Sequence, residues 1–209
     1  MPFGVKNAGA TFVRAVRSML RPIHDFADSY ADDIGVGSQD WETHLYHIRR
    51  FLSIVSEAGM TLNLAKCEFG KPEVKFVGRM VASGNHRPDP QRLQCLAKIE
   101  MPRTKKELRA LLKAFGYYRE YIPHLSAIAM PLTDLTKKGV PNVIVSRWSG
   151  DCQQAYDRLK AELSSTQMLQ NPIIGTPCQM HTDTNGKAVG ATLGQLDEQS
   201  VKRPLAFAS

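Results

Sequence analysis

The sequence is sparing with cysteine and has no long apolar run. Its four cysteines, Cys67, Cys95, Cys152 and Cys178, are scattered, and no two form a C-x-x-C pair. That spacing suggests neither a zinc ribbon nor a disulfide framework, and a reducing, intracellular compartment is the expected setting. No stretch approaches the roughly 20 apolar residues that span a bilayer. Met1-Pro2-Phe3-Gly4 has no basic stretch leading into an apolar one, so no secretory signal is expected. There is neither an internal repeat nor a low-complexity tract. What remains is an ordinary globular composition of 209 residues, 43 % hydrophobic and 22 % charged, enough to bury a core. The formal net charge of +7 suits a polyanionic partner and equally a merely soluble protein.

The pattern alternates between helical and strand-like segments, an α+β chain. Phe12, Val16, Met19 and Leu20 share a helical face, predicting a helix over 7–20 that Pro22 stops. Residues 26–30 and 34–37 read as two short strands around Ala31-Asp32-Asp33, a β-hairpin with acidic residues at its tip. A helix follows over 40–58, striped by Leu45, Ile48, Leu52 and Val55, with Gly59 at its C′ position. Residues 62–64 and 74–81 read as strands. Asp89 caps, and Pro90 begins, another helix. Thr104 and Glu107 have capping-box spacing. The helix they open carries Leu108, Leu111, Leu112 and Phe115 inward, with Lys105, Arg109 and Lys113 as a basic stripe. Residues 137–146 read as a linker. Ser149 caps a helix bearing Cys152, Ala155, Tyr156, Leu159 and Leu163. Strands over 178–183, 188–195 and 204–209 end the chain, with Thr184 to Lys187 as a turn.

The acidic hairpin is the chemical feature. Phosphoryl transfer to a growing strand uses two divalent cations about 3.5–4 Å apart. Mg²⁺ prefers carboxylate oxygens, and adjacent carboxylates repel unless a cation offsets them. A solvated acidic turn has the same residues. His44 and His47, three apart on a helix, could hold a metal, but nothing completes a ligand set, so two exposed histidines are expected.

Met1-Pro2-Phe3-Gly4-Val5-Lys6-Asn7-Ala8-Gly9-Ala10-Thr11-Phe12 resembles the segment bordering the nucleotide pocket of Ty3/gypsy-type retrotransposon reverse transcriptases. Tyr30-Ala31-Asp32-Asp33 resembles their Tyr-x-Asp-Asp box. Farther on, Ala58 to Cys67 is similar to a palm segment and Phe76-Val77-Gly78 to the primer-grip hairpin. Leu108 to Tyr121 is similar to the thumb, Trp148 to Leu163 to the connection, and His181-Thr182-Asp183 to Gln195 to the first ribonuclease H hairpin.

The resemblance implies a partial palm over 1–84, thumb and connection over 85–147, and the start of a ribonuclease H-like domain over 148–209. It implies RNA-directed DNA synthesis with Mg²⁺ or Mn²⁺. The partners would be an RNA or DNA template with its primer, dNTPs and the rest of a Pol polyprotein, in a cytoplasmic particle or the nucleus and not in a membrane. Asp32 would bind metal with Asp33 beside it, Phe3 and Gly4 would line the nucleotide pocket, and Val77 and Gly78 would place the primer end. Lys66 would protonate the leaving group, or else be a solvated lysine. Lys105, Arg109 and Lys113 would face duplex phosphates, or else solvent. Asp183 would be the first ribonuclease H metal ligand. A partner aspartate, the fingers and the later ribonuclease H carboxylates are expected outside these residues, so neither primer extension nor hydrolysis is expected from this chain alone. An inactive remnant that only binds nucleic acid, or has a structural role, is the alternative. Gly9, Asp28, Gly35, Gly37 and Ala188 depart from the family pattern, and the strand glycines are expected to loosen the hairpin.

Overall fold

The computed structural model describes residues 6–165, 168–185 and 188–209. The chain forms two compact units, Met1–Val77 and Gly78–Ser209.

In the first unit, α1 (Ala8–Leu20) ends in a short 3-10 turn, Arg21–Ile23, where Pro22 lacks the donor a longer helix needs. Strands β1 (Ala27–Tyr30) and β2 (Asp33–Val36) pair antiparallel, with Ala27 opposite Val36 and Tyr30 opposite Asp33. Helix α2 (Trp41–Glu57) is capped by Asp40, whose carboxylate accepts from the Thr43 N–H. Gly59 closes it at φ 64, a conformation that costs glycine no Cβ clash. Val16, Leu20, Ile23, Ala27, Phe51, Ile54 and Val55 form the core.

Three expectations change here. The inward face of α2 is Phe51, Ile54 and Val55; Leu45 and Leu52 are exposed. Both sets have helical spacing, and the face carrying the larger Phe51 is the one buried. Residues 62–64 form no strand. They run as irregular chain into one 3-10 turn, Leu64–Lys66, although Leu62 still packs on the core. The single strand expected over 74–81 is two, β3 (Glu73–Phe76) and β4 (Arg79–Ala82).

In the second unit, β4, β5 (Asn85–Pro88) and β6 (Leu169–Gln170) lie side by side, each pair antiparallel. Asp89 caps α3 (Pro90–Ala97) by accepting from the Gln91 N–H. Thr104 Oγ1 accepts from the Glu107 N–H and caps α4 (Lys105–Tyr117). The Glu107 carboxylate reaches back one residue farther than a standard capping box, to the Arg103 N–H. Helices α5 (Leu125–Asp134) and α6 (Gly150–Ser164) complete the helical layer, with Ser149 Oγ accepting from the Cys152 N–H. Strands β7 (Cys178–Asn185), β8 (Ala188–Leu196) and β9 (Lys202–Ala208) form an antiparallel meander. Of the turn expected over Thr184–Lys187, Thr184 and Asn185 belong to β7, and 186–187 lie outside the described residues.

One core joins α4, α5 and α6, with Leu108, Phe115, Leu132, Leu159 and Leu169 fully buried and Phe207 of β9 against them. Residues 137–146 are not a loose linker. Asn142 O accepts from the Lys105 N–H, Arg103 O accepts from the Ile144 N–H, and Ile144 is fully buried. An apolar residue inside a Gly- and Pro-punctuated segment finds the core and anchors it.

Candidate functional site

The acidic hairpin is tight. Because Tyr30 pairs with Asp33, only Ala31 and Asp32 form its loop. Ala31 has φ 55, a left-handed conformation that costs an L-residue roughly 1–2 kcal/mol. Asp32 and Asp33 are both exposed at this tip. Strand alternation turns Ala27 and Ser29 inward and Asp28 and Tyr30 outward. Asp28 is therefore not a buried charge; its carboxylate accepts from the Ser29 N–H at 2.7 Å.

The base of the hairpin is tied to α2. Gly37 donates its N–H to Phe26 O. The His47 ring stacks on Phe26 with centroids 3.7 Å apart and planes 2° from parallel. Nδ1 of His47 lies 2.8 Å from Ser38 Oγ and 3.1 Å from Gly37 O, and Nδ1 of His44 lies 3.1 Å from Ser38 Oγ. The two histidines, expected to be exposed, are half-buried struts. The space above Gly35 is taken by the Phe76 ring, 3.6 Å from where a Cβ would stand.

Two adjacent carboxylates are hard oxygen donors and suit Mg²⁺ or Mn²⁺. They are a partial set, because among the described residues no group of three His, Cys, Asp or Glu side chains converges. Lys66 is exposed at the end of its 3-10 turn. Phe3 and Gly4 lie outside the described residues.

Val77 and Gly78 take φ 48 and 73, consecutive left-handed residues of the kind a type I′ turn requires. For a β-branched valine this is a true outlier. A Cβ on Gly78 would lie 2.7 Å from Arg92 Nη1 and 3.0 Å from Tyr117 Oη. The left-handed backbone favours glycine here, and the close approach of α3 and α4 side chains adds to that preference.

The basic stripe on α4 is not three free cations. Lys105 is 8 % exposed, and its Nζ donates to Lys137 O at 2.7 Å. Arg109 donates to Thr136 O at 2.9 Å. Both hold the chain just past the end of α5, where carbonyls lack helical partners. Only Lys113 and the remaining Arg109 donors are left to face outward. Lys105 stands three residues before Leu108, on the inward face, and that spacing was the available sign. Tyr118 and Tyr121 are core residues, whereas Tyr117 is exposed.

Asp183 lines a groove of about 100 Å³ with His181, Thr192, Gly190, His124 and Phe207. His124 has φ 54, and its Nδ1 would lie 3.2 Å from a Cβ on Gly190, which pairs with Asp183. Arg92 beside Gly78 and His124 beside Asp183 were missed, because each meets its neighbour only through tertiary packing that no local periodicity records.

Residues 1–81 match the family described as reverse transcriptase (RNA-dependent DNA polymerase), and residues 148–209 match the RNase H-like domain found in reverse transcriptase. Residues 1–81 belong to the reverse transcriptase family and residues 148–209 to its RNase H-like domain. It is 34 % identical, over its full length, to the retrovirus-related Pol polyprotein from transposon opus of Drosophila melanogaster, and covers 22 % of that protein. It is 29 % identical, again over its full length, to the transposon Tf2-3 polyprotein of Schizosaccharomyces pombe, and covers 16 % of it. The chain thus spans less than a quarter of these relatives. Its fold is like that of the foamy viral protease-reverse transcriptase solved in complex with dsDNA, with a TM-score of 0.84 at 24 % identity, covering all of this chain and 42 % of that one. The reverse-transcriptase segment contains the acidic hairpin, and the RNase H-like segment contains α6 through β9 and Asp183. No helix among the described residues is long and apolar enough to cross a membrane.

Proposed function

We propose that this chain is the part of an RNA-directed DNA polymerase that carries two of its catalytic carboxylates, Asp32 and Asp33. The observation that carries this reading is the two-residue hairpin, which presents both carboxylates to solvent within the segment that matches reverse transcriptases. Asp32 and Asp33 would hold Mg²⁺ or Mn²⁺, which when bound activates the attacking hydroxyl and offsets charge on the transferring phosphoryl group. The Phe26–His47 stack ties the hairpin base to α2, which supports the tip that carries the two carboxylates. The Val77–Gly78 turn would position the primer terminus, Phe3 and Gly4 would border the dNTP, and Lys66 would meet the leaving group. Asp183 would serve as a metal ligand in the ribonuclease H-like segment. Template, primer, dNTPs and the remainder of a Pol polyprotein are the partners of this reading. Residues 1–84 as palm, 85–147 as thumb and connection, and 148–209 as ribonuclease H-like form its partition, and an intracellular particle or the nucleus its setting.

The test is a Mn²⁺ titration followed by NMR. The amide signals of residues 31–34 should broaden first, and Asp32→Asn with Asp33→Asn should abolish that broadening while leaving the rest of the spectrum in place. Absence of selective broadening at the hairpin in the unaltered chain would defeat the reading.

A further inference from the structure

The positive charge of this chain is sorted, and the sorting creates a second surface. Residues 1–24 contain Lys6, Arg14, Arg17 and Arg21 and no acidic residue. Residues 25–48 contain Asp25, Asp28, Asp32, Asp33, Asp40 and Glu42 and no lysine or arginine. A chain needing only solubility would gain from mixing the signs, because opposite charges three or four residues apart stabilise a helix and like charges destabilise it. Here α1 has its cations without one carboxylate partner.

Arg14, Arg17 and Arg21 are spaced i, i+3 and i+7, so they share one face over about 10 Å of helical rise. All three are exposed, while Val16 and Leu20, on the neighbouring face, are buried. Among the described residues no carboxylate pairs with any of them; Arg14 donates only to Thr11 Oγ1. Arg17 and Arg21 also complement the negative end of the helix dipole, but Arg14, mid-helix, gains nothing from it. The contrast with α4 is direct: there, Lys105 and Arg109 donate to backbone carbonyls.

We infer that the arginine face of α1 is a nucleic-acid backbone contact, taking the phosphates of a duplex held near the acidic hairpin. It rests on the polymerase reading above. A planar guanidinium presents paired donors that match phosphate oxygens, and three of them in a row suit a substrate gripped without regard to sequence. The acidic hairpin, which needs cations, and the arginine face, which needs anions, are joined by no ion pair among the described residues.

The test is anisotropy of a fluorescent primer–template duplex, as DNA/DNA and RNA/DNA, titrated with the 209-residue chain between about 50 and 200 mM salt. Alanine keeps or raises helix propensity at the exposed positions 14 and 17 of α1, and Arg21 is exposed in the 3-10 turn that follows, so a folded variant is expected and its circular dichroism checks it. R14A/R17A/R21A should reduce the slope of log affinity against log salt by about 2–3, and the three Arg→Lys changes should retain most of it. An unchanged slope in the alanine variant overturns the inference alone. Failure of the unaltered chain to bind either duplex overturns the inference together with the polymerase reading. Arginine-dependent binding to anionic vesicles without duplex binding overturns it in favour of a membrane contact.

Discussion

At Gly78 a missing side chain does structural work. Its φ of 73 is one that L side chains rarely adopt, and Arg92 Nη1 and Tyr117 Oη occupy the space a Cβ would take. Arg92 is exposed and can swing aside; the backbone strain has no such relief. Gly78→Ala should therefore destabilise the chain by about 1–2 kcal/mol, read as a lower urea midpoint. Adding Arg92→Ala should recover a minor part, the non-additive share that belongs to the contact. A midpoint unchanged by Gly78→Ala would mean that the turn relaxes freely. Periodicity read the glycine inside a strand over 74–81, and only the family resemblance pointed to a hairpin there. What it avoids was not legible in the sequence, because Arg92 and Tyr117 reach it from helices that begin a dozen or more residues downstream.

Capping is where the sequence speaks most clearly about elements, because it is settled within four residues. Asp40, Asp89, Thr104 and Ser149 each accept from an N–H two or three positions on. Helix faces are decided at longer range. In α2 two apolar sets compete, and only the packing of Phe51, Ile54 and Val55 against α1 and the hairpin selects between them. In α4 the basic stripe mixes two roles that charge alone cannot separate. Lys105 is buried and hydrogen-bonded to Lys137 O, whereas Lys113 is exposed. Lys105→Ala should cost about 1–3 kcal/mol, since it removes a charge-assisted hydrogen bond and leaves a carbonyl unmet. Lys113→Ala should stay within about 0.5 kcal/mol. Urea unfolding of the two variants makes the comparison, and equal midpoints would show that the Lys105 bond contributes nothing to stability.

Across the whole molecule, stability should have an acid edge and an alkaline edge with different origins. Backbone N–H groups hold three carboxyls below their ordinary values: that of Thr43 at Asp40, of Arg103 at Glu107 and of Val201 at Asp197. Their contribution is present above the ordinary carboxylate range and is lost as pH falls through the lowered values. On the alkaline side, burial pushes up the phenols of Tyr118 and Tyr121, the second more strongly. Above pH about 10 the unfolded chain releases these protons while the folded chain keeps them. The unfolded state then binds fewer protons, so stability falls as pH rises beyond that point. Each phenol adds a slope of up to about 1.4 kcal/mol per pH unit. Tyr121 separates this effect from packing, because its buried hydroxyl has no hydrogen-bond partner among the described residues. Tyr121→Phe removes the ionisable group and a polar atom that burial penalises. Near pH 7 the variant should be as stable as the unaltered chain or more so. Between pH about 10 and 11 it should lose less stability, by up to about 1.4 kcal/mol. Urea titrations at the two pH values, followed by the fluorescence of Trp148 in a Trp41→Phe background, read both effects in the second unit. Parallel alkaline losses with and without the Tyr121 hydroxyl would show that the phenol is not what limits the fold at high pH.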